Sequence, residues 1–181
     1  MLTTDALLAE LDRHFLAPDV LKRVAAFART RGPMEGWFKG EMAYALDALA
    51  QAGQTGRWQA NAPITEANRA RIDFTVQTAD GPLYLELKAM QRPGAESGLG
   101  DFVAKDEAVW GDVVKMLRLP EGRGFSVLFV YPRPEAERWA GLFDTYKRRI
   151  YPISIQERTS VTDYPPELYI AKIEVERGML S

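Results

Sequence analysis

The stretch RIDFTVQTADGPLYLELKAM, Arg71 to Met90, constrains the fold more than any other part of the chain. Two runs built from Ile, Phe, Val and Leu flank the turn-forming residues TADGP, the pattern of a β-hairpin. Side chains alternate between the faces of a strand, so residues two apart share one. In the first strand Ile72, Phe74 and Val76 take one face, and Arg71, Asp73 and Thr75 the other. In the second, Leu83, Leu85 and Leu87 share a face, opposed by Tyr84, Glu86 and Lys88. Each strand therefore has an apolar side for a core and a polar side that carries charge.

If the hairpin pairs across its turn, Asp73 and Glu86 point the same way from neighbouring strands. Their carboxylates then lie within reach of a shared cation, with Lys88 about 6–7 Å further along the strand. Two carboxylates on one sheet face repel unless a proton or a cation neutralises them. Hard divalent ions such as Mg²⁺ or Mn²⁺ take oxygen ligands and use one or two carboxylates, leaving positions for water and phosphate. A lysine beside such an ion can orient the attacking water or stabilise charge on phosphate oxygens. An Asp followed by Glu-x-Lys on the next strand is what metal-assisted phosphodiester hydrolysis requires.

The surrounding elements embed the hairpin in an α/β domain. Leu7, Leu8, Leu11 and Phe15 recur at helical spacing behind Thr4 and Asp5, and Pro18 closes that helix. A second helix from Asp19 carries Val20, Leu21, Val24 and Phe27, and RTRGPMEG reads as a loop. A third helix begins at Trp37 with Phe38, Met42, Ala45, Leu46 and Leu49 as its stripe. GRWQANAPI is a strand, a helix covers 106–119, and GFSVLFVYP is a fully buried strand. PEAERWAGLFDTYKRRIY follows as an amphipathic helix, and LYIAKIEVE alternates as a last strand. The expectation is one domain over 1–181, with a mixed central sheet flanked by helices. Its parts are a helical extension (1–34), a motif-bearing core (35–131) and a closing helix and strand (132–181).

Here the residues resemble a known family, the PD-(D/E)xK or restriction-endonuclease-like nucleases. RID, ending in Asp73, and LELKA, containing Glu86, Leu87 and Lys88, carry the resemblance, with Ile72 where the nominal motif has proline. Family members precede these strands with a helix bearing an acid and follow them with a helix and a buried strand. The resemblance covers Glu35 to Tyr131. It implies that Asp73, Glu86 and the Leu87 backbone carbonyl bind Mg²⁺ or Mn²⁺, and that Lys88 handles the water. Glu41 would support the metal or the lysine from the preceding helix, with Glu35 as the alternative from the loop before it. The implied activity is metal-dependent cleavage of DNA rather than RNA, and a homodimer would suit cutting both strands. No Gln or Tyr pattern matches the exonuclease-type members; Gln91 alone hints at one. The rival is a nuclease-fold module that binds nucleic acid or protein without cleaving.

Composition narrows the remaining classes. With no cysteine, thiolate zinc sites and disulfides are excluded, and a net charge of −2 provides no global basic field for nucleic acid. The N-terminal stretch carries charges inside a helical pattern, unlike a signal peptide, and no apolar run approaches a membrane span. A cytoplasmic protein without a membrane segment is expected. His14, the single histidine, reads as surface or half-buried, because one imidazole makes no metal site. Asp112 and Lys115, three apart on a helix, read as a surface ion pair. Lys147, Arg148 and Arg149 read as the basic last turn of a helix, and Trp139 and Phe143 as core.

Overall fold

A computed structural model describes residues 1–30, 32–65, 68–91, 109–119, 121–132, 137, 141, 155–161 and 168–175. Three helices come first: α1 (Thr4–Phe15), α2 (Pro18–Thr30) and α3 (Met34–Gln51). The strands β1 (Trp58–Thr65), β2 (Asn68–Thr78) and β3 (Gly81–Gln91) follow, then α4 (Val109–Met116), β4 (Arg123–Tyr131), β5 (Ile155–Val161) and β6 (Tyr169–Val175). The strands form one six-stranded sheet in the order β1-β2-β3-β4-β6-β5. β3 and β4 are parallel and every other neighbouring pair is antiparallel, so the sheet is mixed and the fold α/β.

The sheet separates two apolar cores. On one face α1, α2 and α3 pack over Phe74, Val76, Leu83, Leu85, Leu87, Phe125, Val127 and Phe129. The Phe38 ring of α3 stacks on Phe129 with centroids 4.0 Å apart, and Phe15 of α1 meets the same ring at 4.7 Å. Burying each such side chain stabilises the fold by about 1.5–3 kcal/mol. The first two helices thus contribute side chains to this core. On the other face α4 places Val109, Val113 and Met116 over Tyr84, Leu128 and Val130.

Local chemistry fixes where the helices begin. Thr3 caps α1 by accepting the Ala6 amide on its hydroxyl. Pro18 opens α2 instead of merely ending α1, since its missing N–H costs nothing in a first turn. α3 begins at Met34, three residues before Trp37, so Glu35 stands in a helical first turn and not in a loop. The start of α1 is also fastened to the β2–β3 turn. The Thr4 amide and hydroxyl both donate to Asp80 Oδ1, at 2.8 and 2.9 Å, and the Thr78 hydroxyl donates to the same oxygen at 2.7 Å. Before β4, Gly122 has φ 79, and a Cβ there would lie 2.1 Å from the Pro82 carbonyl oxygen, so only glycine fits.

Candidate functional site

β2 and β3 part at one level of the sheet. Their backbone pairing ends at Phe74 with Leu85, while β2 stays paired with β1 through Ile72 and Arg71. Continued by one residue, the β2–β3 register would set Asp73 against Glu86. Asp73 instead turns its carboxylate across the gap, and its Oδ2 accepts the Leu87 backbone N–H at 2.8 Å. On the other side of β2, Asn61 lies between the pairs Ala60–Phe74 and Ala62–Ile72 and has φ 52. Asparagine tolerates that left-handed conformation better than most residues. Simple alternation is interrupted here: Phe74 and Val76 join the helical core, whereas Ile72 packs with Ala62 and Ile64 in the second core.

The opening lets both helical layers contribute charge. From α3, Lys39 Nζ lies 2.8 Å from Glu35 Oε1 and 2.8 Å from Asp73 Oδ1. From β3, Lys88 Nζ lies 3.9 Å from Glu35 Oε2 and 3.8 Å from Asp112 Oδ2. From α4, Lys115 Nζ bonds Glu86 Oε1 at 2.5 Å and stands 3.6 Å from Asp112 Oδ1. Among the described residues, four carboxylates thus interleave with three ammoniums, leaving one negative charge in excess when all are ionised.

Burial makes that excess costly. Glu86 is 3% exposed, and desolvation followed by the nearby negative charge of Asp112 pushes its carboxyl up to about 8. Asp112 is raised to about 6, chiefly by desolvation, against the pull of Lys88 and Lys115. For Lys39, burial opposes the ammonium, but hydrogen bonds to Asp73 and Glu35 outweigh it and hold the lysine charged. Lys115 likewise resists desolvation through its bond to Glu86 and is shifted upward. The two partners conflict, since a raised Lys115 needs an ionised Glu86 while a raised Glu86 favours its neutral acid. The charge excess decides between them: the surplus proton belongs to the Glu86–Asp112 pair, and Lys115 stays an ammonium.

The three hairpin residues, Asp73, Glu86 and Lys88, therefore belong to one charge network, linked through Glu35, Lys39, Asp112 and Lys115, but Glu41 does not join them. Its Oε1 accepts from Arg23 Nη2 at 2.7 Å and lies 3.0 Å from His14 Nε2. Six residues turn Glu41 about 120° around the helix from Glu35. Glu35 is the acid of α3 that reaches the lysines of the site. His14 is half-buried, as its sequence context suggested, and its partner is Glu41. Asp112 and Lys115 are not a surface pair, because Asp112 is 4% exposed and faces the cluster. Their spacing on α4 was visible in the sequence, but the covering of the β2–β3 gap by that helix was not. Lys147, Arg148, Arg149, Trp139 and Phe143 lie outside the described residues, as does the side chain of Gln91.

The chain matches no protein-family model, and no curated protein or solved structure matches it. No helix among the described residues is long and apolar enough to cross a membrane.

Among the described residues, no three Asp, Glu or His side chains are gathered into a ready-made metal cage. The lysines explain why, since Lys39 sits on Asp73 and Lys115 on Glu86. The donor chemistry nevertheless suits a hard divalent ion, with carboxylate oxygens from neighbouring strands and a buried surplus of negative charge. Two buried polar atoms beside Glu86 also have no hydrogen-bond partner among the described residues: Asp112 Oδ2 and the hydroxyl of Ser126, the residue paired with Glu86 across β3 and β4.

Proposed function

We propose that the chain is a divalent-metal-dependent nuclease of the PD-(D/E)xK type that hydrolyses phosphodiester bonds of DNA. The observation that carries this is the single charge network that joins Asp73, Glu86 and Lys88 where β2 and β3 part. The order of α3, three antiparallel strands, α4 and a buried strand parallel to β3 agrees with it, although fold alone never establishes chemistry. Asp73, Glu86 and the Leu87 carbonyl would hold Mg²⁺ or Mn²⁺, with Glu35 rather than Glu41 in the supporting role. A divalent ion held there supplies Lewis-acid stabilisation of charge developing on the phosphate. Lys88, poised between Glu35 and Asp112, orients the attacking water or steadies a phosphate oxygen. A cytoplasmic location and action as a homodimer belong to the same proposal.

One observation favours a second reading, a nuclease-fold module that binds nucleic acid or protein without cleaving. Ammoniums already neutralise Asp73 and Glu86, as they would in a site that had dispensed with metal. Incubation of the protein with linear and circular DNA in Mg²⁺ or Mn²⁺ separates the two. Cleavage that Glu86→Gln abolishes supports the nuclease. DNA retention without cleavage in either ion supports the binding module.

A further inference from the structure

Asp112 is the charged group of α4 that the nuclease motif leaves without a role. Its side chain is 5% exposed, and its Oδ2 has no hydrogen-bond partner among the described residues. Both ammoniums near it stand beyond hydrogen-bond distance, Lys115 at 3.6 Å from Oδ1 and Lys88 at 3.8 Å from Oδ2. Lys115 gives its short bond to Glu86 instead. A buried carboxylate oxygen without a donor is strongly unfavourable, so the arrangement is complete only when something else reaches it. The unpartnered Ser126 hydroxyl, in register with Glu86, marks the same place from the β4 side.

We infer that Glu86 and Asp112 are the two walls of a cation seat, and that the Lys115 ammonium is its resident occupant until a divalent ion displaces it. This deepens the metal-dependent reading and rests on it. The charges set the direction of the exchange. The lone ammonium brings one positive charge to two carboxyls that must also share a proton, whereas one divalent ion brings both charges, and Mg²⁺ commonly binds proteins through only one or two carboxylates. The Lys115 side chain is free to leave because it is 26% exposed and sits in the last turn of α4. Once withdrawn, its ammonium becomes available to a phosphate, so one lysine serves as counter-ion in the metal-free protein and as an anion contact in the loaded one.

The test is a Mn²⁺ titration of the full chain followed by electron paramagnetic resonance, comparing wild type with Lys115→Gln and Asp112→Asn. Removing the competing ammonium should tighten Mn²⁺ binding by about tenfold or more, the direction that removing a like charge requires. Asp112→Asn should weaken it by at least a similar factor. Wild-type binding that Lys115→Gln leaves unchanged or weakens would overturn the seat while the nuclease reading stands. No Mn²⁺ binding by either protein would overturn both. Lysine acetylation of the wild type, read by mass spectrometry, needs no variant to fold. Mg²⁺ should raise labelling of Lys115 several-fold, and labelling that stays level or falls in saturating Mg²⁺ counts against the exchange.

Discussion

Asp73 Oδ2 accepts the backbone N–H of Leu87 at 2.8 Å, beyond the last backbone rung between β2 and β3. One carboxylate thus satisfies an amide that the parting of the strands would otherwise strand, while its other oxygen meets Lys39. The structural and chemical duties of Asp73 can be separated by substitution. Asp73→Asn keeps an acceptor for Leu87 and should fold normally, yet lose the metal-induced rise in melting temperature that linkage provides. Asp73→Ala should cost about 1–3 kcal/mol in addition, the usual penalty for a buried donor left unpaired. Urea unfolding of both variants, with and without Mn²⁺, checks this; equal stability of the two would deny Asp73 its part in holding the strands.

Glu35 and Glu41 share a helix but serve different neighbours. Glu35 touches Lys39 and Lys88, whereas Glu41 ties α3 to His14 of α1 and Arg23 of α2. Glu35→Gln should therefore lower cleavage by at least about tenfold, as loss of a group positioning a catalytic lysine would. Glu41→Gln should leave cleavage within about twofold and cost about 1 kcal/mol of stability through the weakened tie. Rate measurements on the two variants, paired with thermal melts, decide it. The opposite ranking would return Glu41 to the site.

What the sequence revealed of this site is what short-range alternation can encode. Asp73, Glu86 and Lys88 were legible because period-two spacing separates polar from apolar faces within a few residues. Alternation does not report where a strand departs from its neighbour, so the transfer of Ile72 to the second core was hidden. Glu35 was obscured by Gly36, which lowers helix propensity in the first turn of α3 and made that turn read as loop. Asp112 and Lys115 looked like a surface pair because their burial depends on which helix covers the gap, a fact of tertiary packing. β5 was missed altogether: IQERTSV has little apolar alternation, and its pairing is supplied by the edge of β6.

Asp80 offers a pH test away from the site. The Thr78 hydroxyl foremost, then the Thr4 amide and hydroxyl, hold its carboxyl down to about 2. Its folded value lies below the unfolded one, so the folded chain binds fewer protons between the two and stability rises with pH across that window. The contribution is complete above the ordinary carboxylate range and is lost as pH falls through about 2. Asp80→Asn should therefore melt below wild type at pH 7, with the gap closing as the pH is lowered from about 4 towards 2. Melting curves across that range provide the measurement. A gap that does not change with pH would mean the charge of Asp80 contributes nothing to pinning α1 on the β2–β3 turn.

Lys88 is where the nuclease and binding-module readings differ most. Its ammonium lies 3.9 Å from Glu35 and 3.8 Å from Asp112, reaching an acid from each helical layer while donating a tight bond to neither. A lysine held at that distance is positioned but not locked, which suits a group that must meet a water or a phosphate oxygen. Lys88→Ala should leave the Mn²⁺-induced rise in melting temperature in place, because the proposed ligands Asp73, Glu86 and the Leu87 carbonyl remain. DNA should still bind in Ca²⁺. Cleavage in saturating Mg²⁺ should fall by at least about 10²-fold, the scale for losing one positioned acid–base or charge-stabilising group. The decisive experiment is a cleavage time course of variant against wild type, with the fold checked by circular dichroism. Full activity in the variant would remove Lys88 from the mechanism. DNA binding without cleavage in both proteins would transfer the weight to the binding module.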